Sequence, residues 1–176
     1  MDAITHFARA LGAARSGKPA DARADLDALV ALRDKLKGMN DAYWSEQVDI
    51  QHRVASAWVT YAQGQKTEAI EALRAAADAE DATDKAAVSP GPLAPARELL
   101  GEMLLESGDP KAALVAFEAT MKKEPGRFRG AYGAARAAEG AGDRAKAKQY
   151  YGTLLERAAD GDRPELQRAR SFTKAS

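Results

Sequence analysis

The chain contains no cysteine, so disulfide bonds and thiol chemistry are excluded. Its basic and acidic residues number 26 each, which leaves no net charge to attract it to nucleic acid or to an anionic membrane. No apolar run approaches the roughly 20 residues that a membrane span needs. β-Branched residues are few, whereas Ala, Leu, Glu, Arg and Lys are abundant. This composition favours an all-helical protein.

The N-terminus has no signal-peptide pattern, because Asp2, His6 and Arg9 interrupt its apolar residues. We therefore expect a soluble protein. The compartment stays open: the cytoplasm is the default, and the periplasm applies if a leader has been removed.

Sequence motifs for catalysis or cofactor binding are missing. The two histidines, His6 and His52, have no partner at metal-ligand spacing such as HExxH. The phosphate-binding patterns GxGxxG and GxxxxGK[ST] and the nucleophile elbow GxSxG do not occur. Glu98, Glu102 and Glu106 recur every four residues, a pattern more typical of a solvated helix face than of an acid/base pair. The sequence thus predicts a non-enzymatic protein without cofactor or metal.

The stretch 94–126 predicts two amphipathic helices joined by a tight turn. Pro95 suits a first helical position, and Gly108 ends the first helix. Asp109-Pro110 starts the second with an N-cap residue followed by proline. Because one such hairpin cannot bury its own apolar surface, we expect copies of it elsewhere in the chain.

Four glycines, at 17, 64, 108 and 142, mark equivalent turns. Each has a small residue seven positions earlier, alanine five positions later and a bulky apolar residue nine positions later. These are, in order, Ala10, Ala57, Gly101 and Ala135; Ala22, Ala69, Ala113 and Ala147; Leu26, Leu73, Phe117 and Tyr151. Where two helices cross closely only small side chains fit, and a large one from the second helix fills the space beside them.

This spacing resembles the tetratricopeptide repeat, a helical hairpin of 34 residues. The interval between the last two turn glycines, 142 − 108 = 34, equals that period, whereas the earlier intervals are 47 and 44. The signature positions hold Leu100, Gly101, Leu104, Ala113, Phe117 and Pro125 in the third unit, and Ala135, Ala147, Tyr151 and Leu154 in the fourth. The family's tryptophan position holds Arg97 and Ala131, so the repeats are degenerate.

The resemblance implies an all-α, right-handed solenoid of about four hairpin units with a C-terminal capping helix, in one domain over 1–176. The expected units are 3–37, 42–80, 94–126 and 127–160, with a cap at 163–173 and a proline-rich loop at 80–94. We interpret that loop as a spacer between repeats, the alternative being a functional segment.

The resemblance also implies a concave groove, lined by the first helix of each unit, that holds a protein or peptide. Its expected contact residues are Trp58, Tyr61, Glu98, Glu102, Arg129, Tyr132 and Arg136. For the aromatic residues of the first two units, burial in the core is an equally good interpretation. Nucleic acid is not an expected partner, because the lysines and arginines also fit ordinary solvated faces.

Tetratricopeptide proteins that bind chaperone tails carry lysine and asparagine ten and six residues before the turn glycine. Here these positions hold Phe7 and Leu11, Val54 and Trp58, Glu98 and Glu102, and Tyr132 and Arg136. Binding of a chaperone tail is therefore not expected.

Two other functions remain as alternatives. The first is self-association, or docking within a larger protein, through the open face of the first hairpin. The second, which the sequence favours less, is an enzyme or small-ligand receptor that uses Glu98, Glu102 and Arg136 across the groove.

Overall fold

The computed structural model describes residues 2–83, 91–158 and 160–174. Over these ranges the chain folds into nine α-helices and a short 3-10 helix, without a β-strand. The all-α prediction is confirmed. The chain forms two compact units, Met1–Pro90 and Gly91–Ser176. A single domain over 1–176 stays a prediction. None of the described helices is both long and apolar enough to cross a lipid bilayer.

The first unit contains two antiparallel hairpins whose consecutive helices pack together. Its elements are α1 (Asp2–Arg15), a 3-10 helix (Pro19–Ala22), α2 (Arg23–Gly38), α3 (Ala42–Ala62) and α4 (Lys66–Ala82). The sequence predicts an α-helix that begins directly at Pro19; the structure instead has a tighter 3-10 turn there, which is common at helix N-termini.

The helix α4 extends to Ala82, so the predicted loop at 80–94 begins later than expected. Glu80 and Asp81 continue the helix, and the Thr83 hydroxyl donates a hydrogen bond to the carbonyl oxygen of Ala79 at 3.0 Å. Residues 84–90 of the predicted loop lie outside the described residues.

The second unit contains two further hairpins and a terminal helix. Its elements are α5 (Ala96–Ser107), α6 (Pro110–Lys123), α7 (Phe128–Gly140), α8 (Arg144–Arg157) and α9 (Pro164–Lys174). Pro95 is the N-cap of α5 rather than its first helical residue, because its ψ of 136° is extended. Helix α9 buries Leu166 and Ala169 against α8 and leaves much of its surface polar and exposed, as a capping helix requires.

Small residues stand at the helix crossings, as the sequence predicts. The four alanines that follow the turn glycines, Ala22, Ala69, Ala113 and Ala147, are completely buried. In unit 2 the ring of Phe117 packs against both Gly101 and Gly133. The spacing that identified the hairpins therefore reports the close approach of their helices.

Candidate functional site

Helix α7 is buried on most of its circumference and exposed along one stripe. It packs against α5, α6 and α8, which its many small residues allow. The buried residues are Gly130, Ala131, Gly133, Ala134, Ala135, Ala137 and Ala138. Arg129, Tyr132 and Arg136 stand at i, i+3 and i+7 and are exposed or half-buried. Helical spacing therefore places these three large side chains side by side on one face.

Helix α5 contributes the neighbouring part of the same surface. Arg129 Nε donates to Glu102 Oε1 at 3.2 Å, and a second guanidinium N–H of Arg129 bonds to the same oxygen. Leu105 stands three residues after Glu102 and is half-buried. We call the surface formed by Glu102, Leu105, Arg129, Tyr132 and Arg136 the α5–α7 face.

Arg136 differs from its neighbours on this face. Its guanidinium carbon lies 5.9 Å from the centre of the Tyr132 ring, within range of a cation–π interaction. Among the described residues, Arg136 has no ion pair or hydrogen bond from its side chain. The side chain is exposed, so its positive charge faces solvent.

Glu98, which the sequence places with the contact residues, is buried in an ion pair. Its side chain is 1% exposed. Arg127 donates to both oxygens of this carboxylate, from Nε to Oε2 at 2.9 Å and from Nη2 to Oε1 at 3.0 Å. Arg127 also donates to the carbonyl oxygen of Leu93 at 2.9 Å. Glu98 thus anchors the start of α7 and the segment before α5, and its carboxylate is directed away from solvent.

The far end of α7 carries a polar network that the sequence does not reveal. The Tyr151 hydroxyl donates to Glu139 Oε2 at 2.8 Å. Arg168 donates to both carboxylate oxygens of Glu139, at 3.0 and 3.1 Å, and to the Tyr151 hydroxyl. Burial, and then the bond to Glu139, raises the pKa of Tyr151 to about 12. Helix α9 is therefore tied to both helices of the preceding hairpin, and the charge of Glu139 is neutralised.

The aromatic residues predicted as contacts in the first compact unit, Trp58 and Tyr61, lie in and beside its core. Trp58 is 2% exposed, and the Arg15 guanidinium stacks 4.7 Å from the centre of its ring. Tyr61 is half-buried and contacts Trp58 edge to face at 5.7 Å. The structure thus places Trp58 in the core, the alternative that the sequence left open.

Exposed apolar side chains of the first unit bear on the alternative of self-association. Ile4, Met39 and Trp44 are all exposed, and Trp44 contacts Tyr43 edge to face at 5.1 Å. Self-association through the open face of the first hairpin stays a prediction.

Neither histidine has the surroundings of a metal ligand. His6 Nδ1 lies 2.7 Å from Asp25 Oδ1, a contact that joins α1 to α2. His52 Nε2 lies 3.4 Å from the Ser56 hydroxyl, and burial lowers the pKa of this histidine. Over the described ranges, no group of three or more metal-ligating side chains is placed to hold an ion.

The model of the tetratricopeptide repeat family matches residues 104–171. The matched segment begins near the end of α5, contains α6, α7 and α8, and ends within α9. No curated protein and no solved structure matches the chain significantly. Tetratricopeptide repeats generally mediate protein–protein interactions and are typically non-enzymatic. Over residues 104–171 the chain is similar to the tetratricopeptide repeat family, and this match supports the tetratricopeptide assignment of that segment.

Proposed function

We propose that the protein is a non-enzymatic interaction module whose second unit holds a peptide segment of a partner protein on the α5–α7 face. The observation that carries the proposal is the exposed stripe of α7. A helix that is otherwise packed with alanine and glycine presents Arg129, Tyr132 and Arg136 together at its exposed surface.

The composition of this stripe is suited to a protein partner. Tyrosine and arginine are the side chains, with tryptophan, that most often supply the binding energy of protein interfaces. A tyrosine ring offers a large contact area at a small entropic cost, because it has few rotatable bonds. The ring of Tyr132 lies 6.3 Å from the ring of Tyr151, which is buried, and within cation–π range of Arg136. Contacts that restrain a side chain before a partner binds lower the entropic cost of binding.

The charged groups on the face and buried beside it favour binding over catalysis. Glu98 and Glu102, the carboxylates offered by the sequence for acid/base chemistry, are each bonded to an arginine. Each carboxylate therefore takes part in a contact between α5 and the arginines at the start of α7. Their role in this proposal is to position α5 and α7 against each other.

The proposal is tested with a random peptide library displayed on phage and selected against the full chain. Enriched peptides are synthesised, and their affinities for the wild type and variants are measured by fluorescence anisotropy. Because Tyr132 lies at the centre of the face, we expect Y132A to weaken binding by roughly tenfold or more. L105A, at the α5 side of the face, should weaken it to a smaller extent.

The matched control is Val115→Ala, since Val115 is an apolar side chain that is exposed on α6, outside the face. V115A should leave the affinity unchanged. Circular dichroism of each variant checks that the helices are intact. Selected peptides that bind Y132A and L105A as tightly as the wild type would show that they bind elsewhere, and the proposal would be wrong.

A further inference from the structure

We propose that the bound peptide segment presents an aspartate or glutamate side chain to Arg136. This inference rests on the proposed function, because it assigns the chemical class of the partner at the α5–α7 face. It follows from an account of the charges on and around that face.

Two of the three arginines near the exposed stripe are neutralised by carboxylates of the protein. Arg129 is paired with Glu102, and Arg168 is paired with Glu139. Arg136 lies between these pairs on α7 and has no carboxylate partner among the described residues. The face therefore carries one uncompensated positive charge at a defined position, and charge complementarity favours an anionic group there.

The surroundings of Arg136 make it a better anchor than a mobile surface arginine. Its guanidinium lies within cation–π range of the Tyr132 ring, an attraction that favours this position of the side chain, and the residue is exposed to solvent. The planar guanidinium matches the two oxygens of a carboxylate, which it binds through two parallel hydrogen bonds. Because Tyr132 offers apolar surface beside Arg136, we expect an apolar residue of the peptide to lie close to the acidic one.

The neighbouring ion pairs favour a carboxylate over a phosphate group. Arg129 and Arg168 are already engaged by Glu102 and Glu139, so they add no net charge to the anion site. A phosphoryl group carries close to two negative charges and would face the carboxylates of those pairs with one free guanidinium to compensate. A single carboxylate matches a single guanidinium.

The test uses the same library selection on the full chain, with R136Q and K148Q as variants. Both substitutions remove one positive charge, but Lys148 is an exposed residue of α8 outside the face. We expect the enriched peptides to share an aspartate or glutamate. R136Q should weaken their binding by roughly tenfold or more, as expected for loss of a charge-assisted hydrogen-bonded pair, whereas K148Q should not.

A double-substitution cycle identifies the contact directly. Replacing the shared acidic residue of the peptide by its amide should weaken binding to the wild type as much as R136Q does, and should have little further effect on R136Q. R136K should retain part of the affinity, because lysine keeps the charge but loses the planar two-bond geometry.

The outcomes separate the two proposals. The inference would be overturned if the selected peptides shared no acidic residue. It would also be overturned if Y132A weakened their binding and R136Q did not. In both cases the proposed function would stand. A phosphoserine replacement that strengthens binding through Arg136 would also overturn it, in favour of a phosphorylated partner. If no peptide is selected, or if the selected peptides bind Y132A and R136Q as tightly as the wild type, both proposals are contradicted.

Discussion

The ring of Phe117 occupies a space that exists only because two residues on neighbouring helices lack side chains. A Cβ atom on Gly101 of α5 would lie 2.9 Å from this ring, and one on Gly133 of α7 would lie 2.3 Å from it. Both distances are shorter than a van der Waals contact. The glycines are thus needed for packing, since α6 approaches α5 through Gly101 and α7 through Gly133.

Gly133→Ala should therefore destabilise the protein although alanine is the better helix former. We expect overpacking to cost about 1–3 kcal/mol of the free energy of unfolding, measured by urea denaturation. Gly152→Ala is the matched control: Gly152 lies within α8, and its added Cβ would meet nothing within 4 Å. The control should be neutral or stabilising by up to about 1 kcal/mol.

A second substitution checks the cause. Phe117→Leu in the G133A background should cost less than Phe117→Leu in the wild type, because it relieves the steric conflict. Equal costs in the two backgrounds would show that the Phe117 ring is not what excludes a side chain at position 133.

At the scale of the helices, local signals at the termini explain why most boundaries follow from the sequence. Asp41, Asp109 and Asp143 cap α3, α6 and α8, and each carboxylate accepts the backbone N–H three residues later at 3.0–3.1 Å. Gly108 and Gly142, at φ of 88° and 80°, reverse the chain just before the last two of these caps. Neither signal depends on distant residues.

Helix α4 lacks such a cap and provides an internal comparison. Its N-cap residue is Gln65, with a φ of −84° and ψ of 63° that resemble those of Asp143, yet its side chain makes no capping bond. We expect Asp109→Ala to lower stability by about 1 kcal/mol and Gln65→Ala to change it little. Gln65→Asp should raise the melting temperature, because it supplies the missing acceptor.

Thermal unfolding followed by circular dichroism measures all three variants, and Asp109→Asn serves as the conservative control that keeps a capping oxygen. If Gln65→Ala cost as much as Asp109→Ala, the capping bonds would not account for the stability of these helix starts.

At the scale of the whole molecule, two adjacent tyrosines couple the stability of the protein to alkaline pH. Burial and, after it, the hydrogen bond to Glu118 together raise the pKa of Tyr150 to about 12. The pKa of Tyr151 is also raised to about 12. An unfolded tyrosine ionises near pH 10. Between these values the folded protein binds more protons than the unfolded chain, so the free energy of unfolding decreases as pH rises.

The stabilisation should be complete below pH 10 and should be lost as pH rises toward about 12. Spectrophotometric titration of tyrosinate should show a late phase to which Tyr150 and Tyr151 contribute. The double variant Y150F/Y151F should lose that phase, whereas Y132F should keep it. A late phase that persists in the double variant would assign it to other tyrosines.

The candidate site was predicted from the sequence less completely than the fold. The resemblance to the tetratricopeptide repeat placed Arg129, Tyr132 and Arg136 among the contact residues, and the structure leaves these three side chains exposed or half-buried on α7. It also placed Glu98 on the binding surface, but this carboxylate is bonded to Arg127, 29 residues away. Arg168, which neutralises Glu139, carries no sequence signal, because nothing local relates one helix to the charges of another.

The sequence by itself determined the helices, their turns and the small-against-large pairing that brings them together, since glycine conformation, capping and helical periodicity all act within a few residues. The tertiary structure alone decided which charges on and around the α5–α7 face are paired, and that Arg136 has no carboxylate partner among the described residues. An ion pair forms wherever packing brings two side chains within reach. The pairs of Glu98, Glu102 and Glu139 join residues that are 27–29 positions apart along the chain. Arg136 is distinguished from its neighbours by this arrangement, not by its place in the sequence.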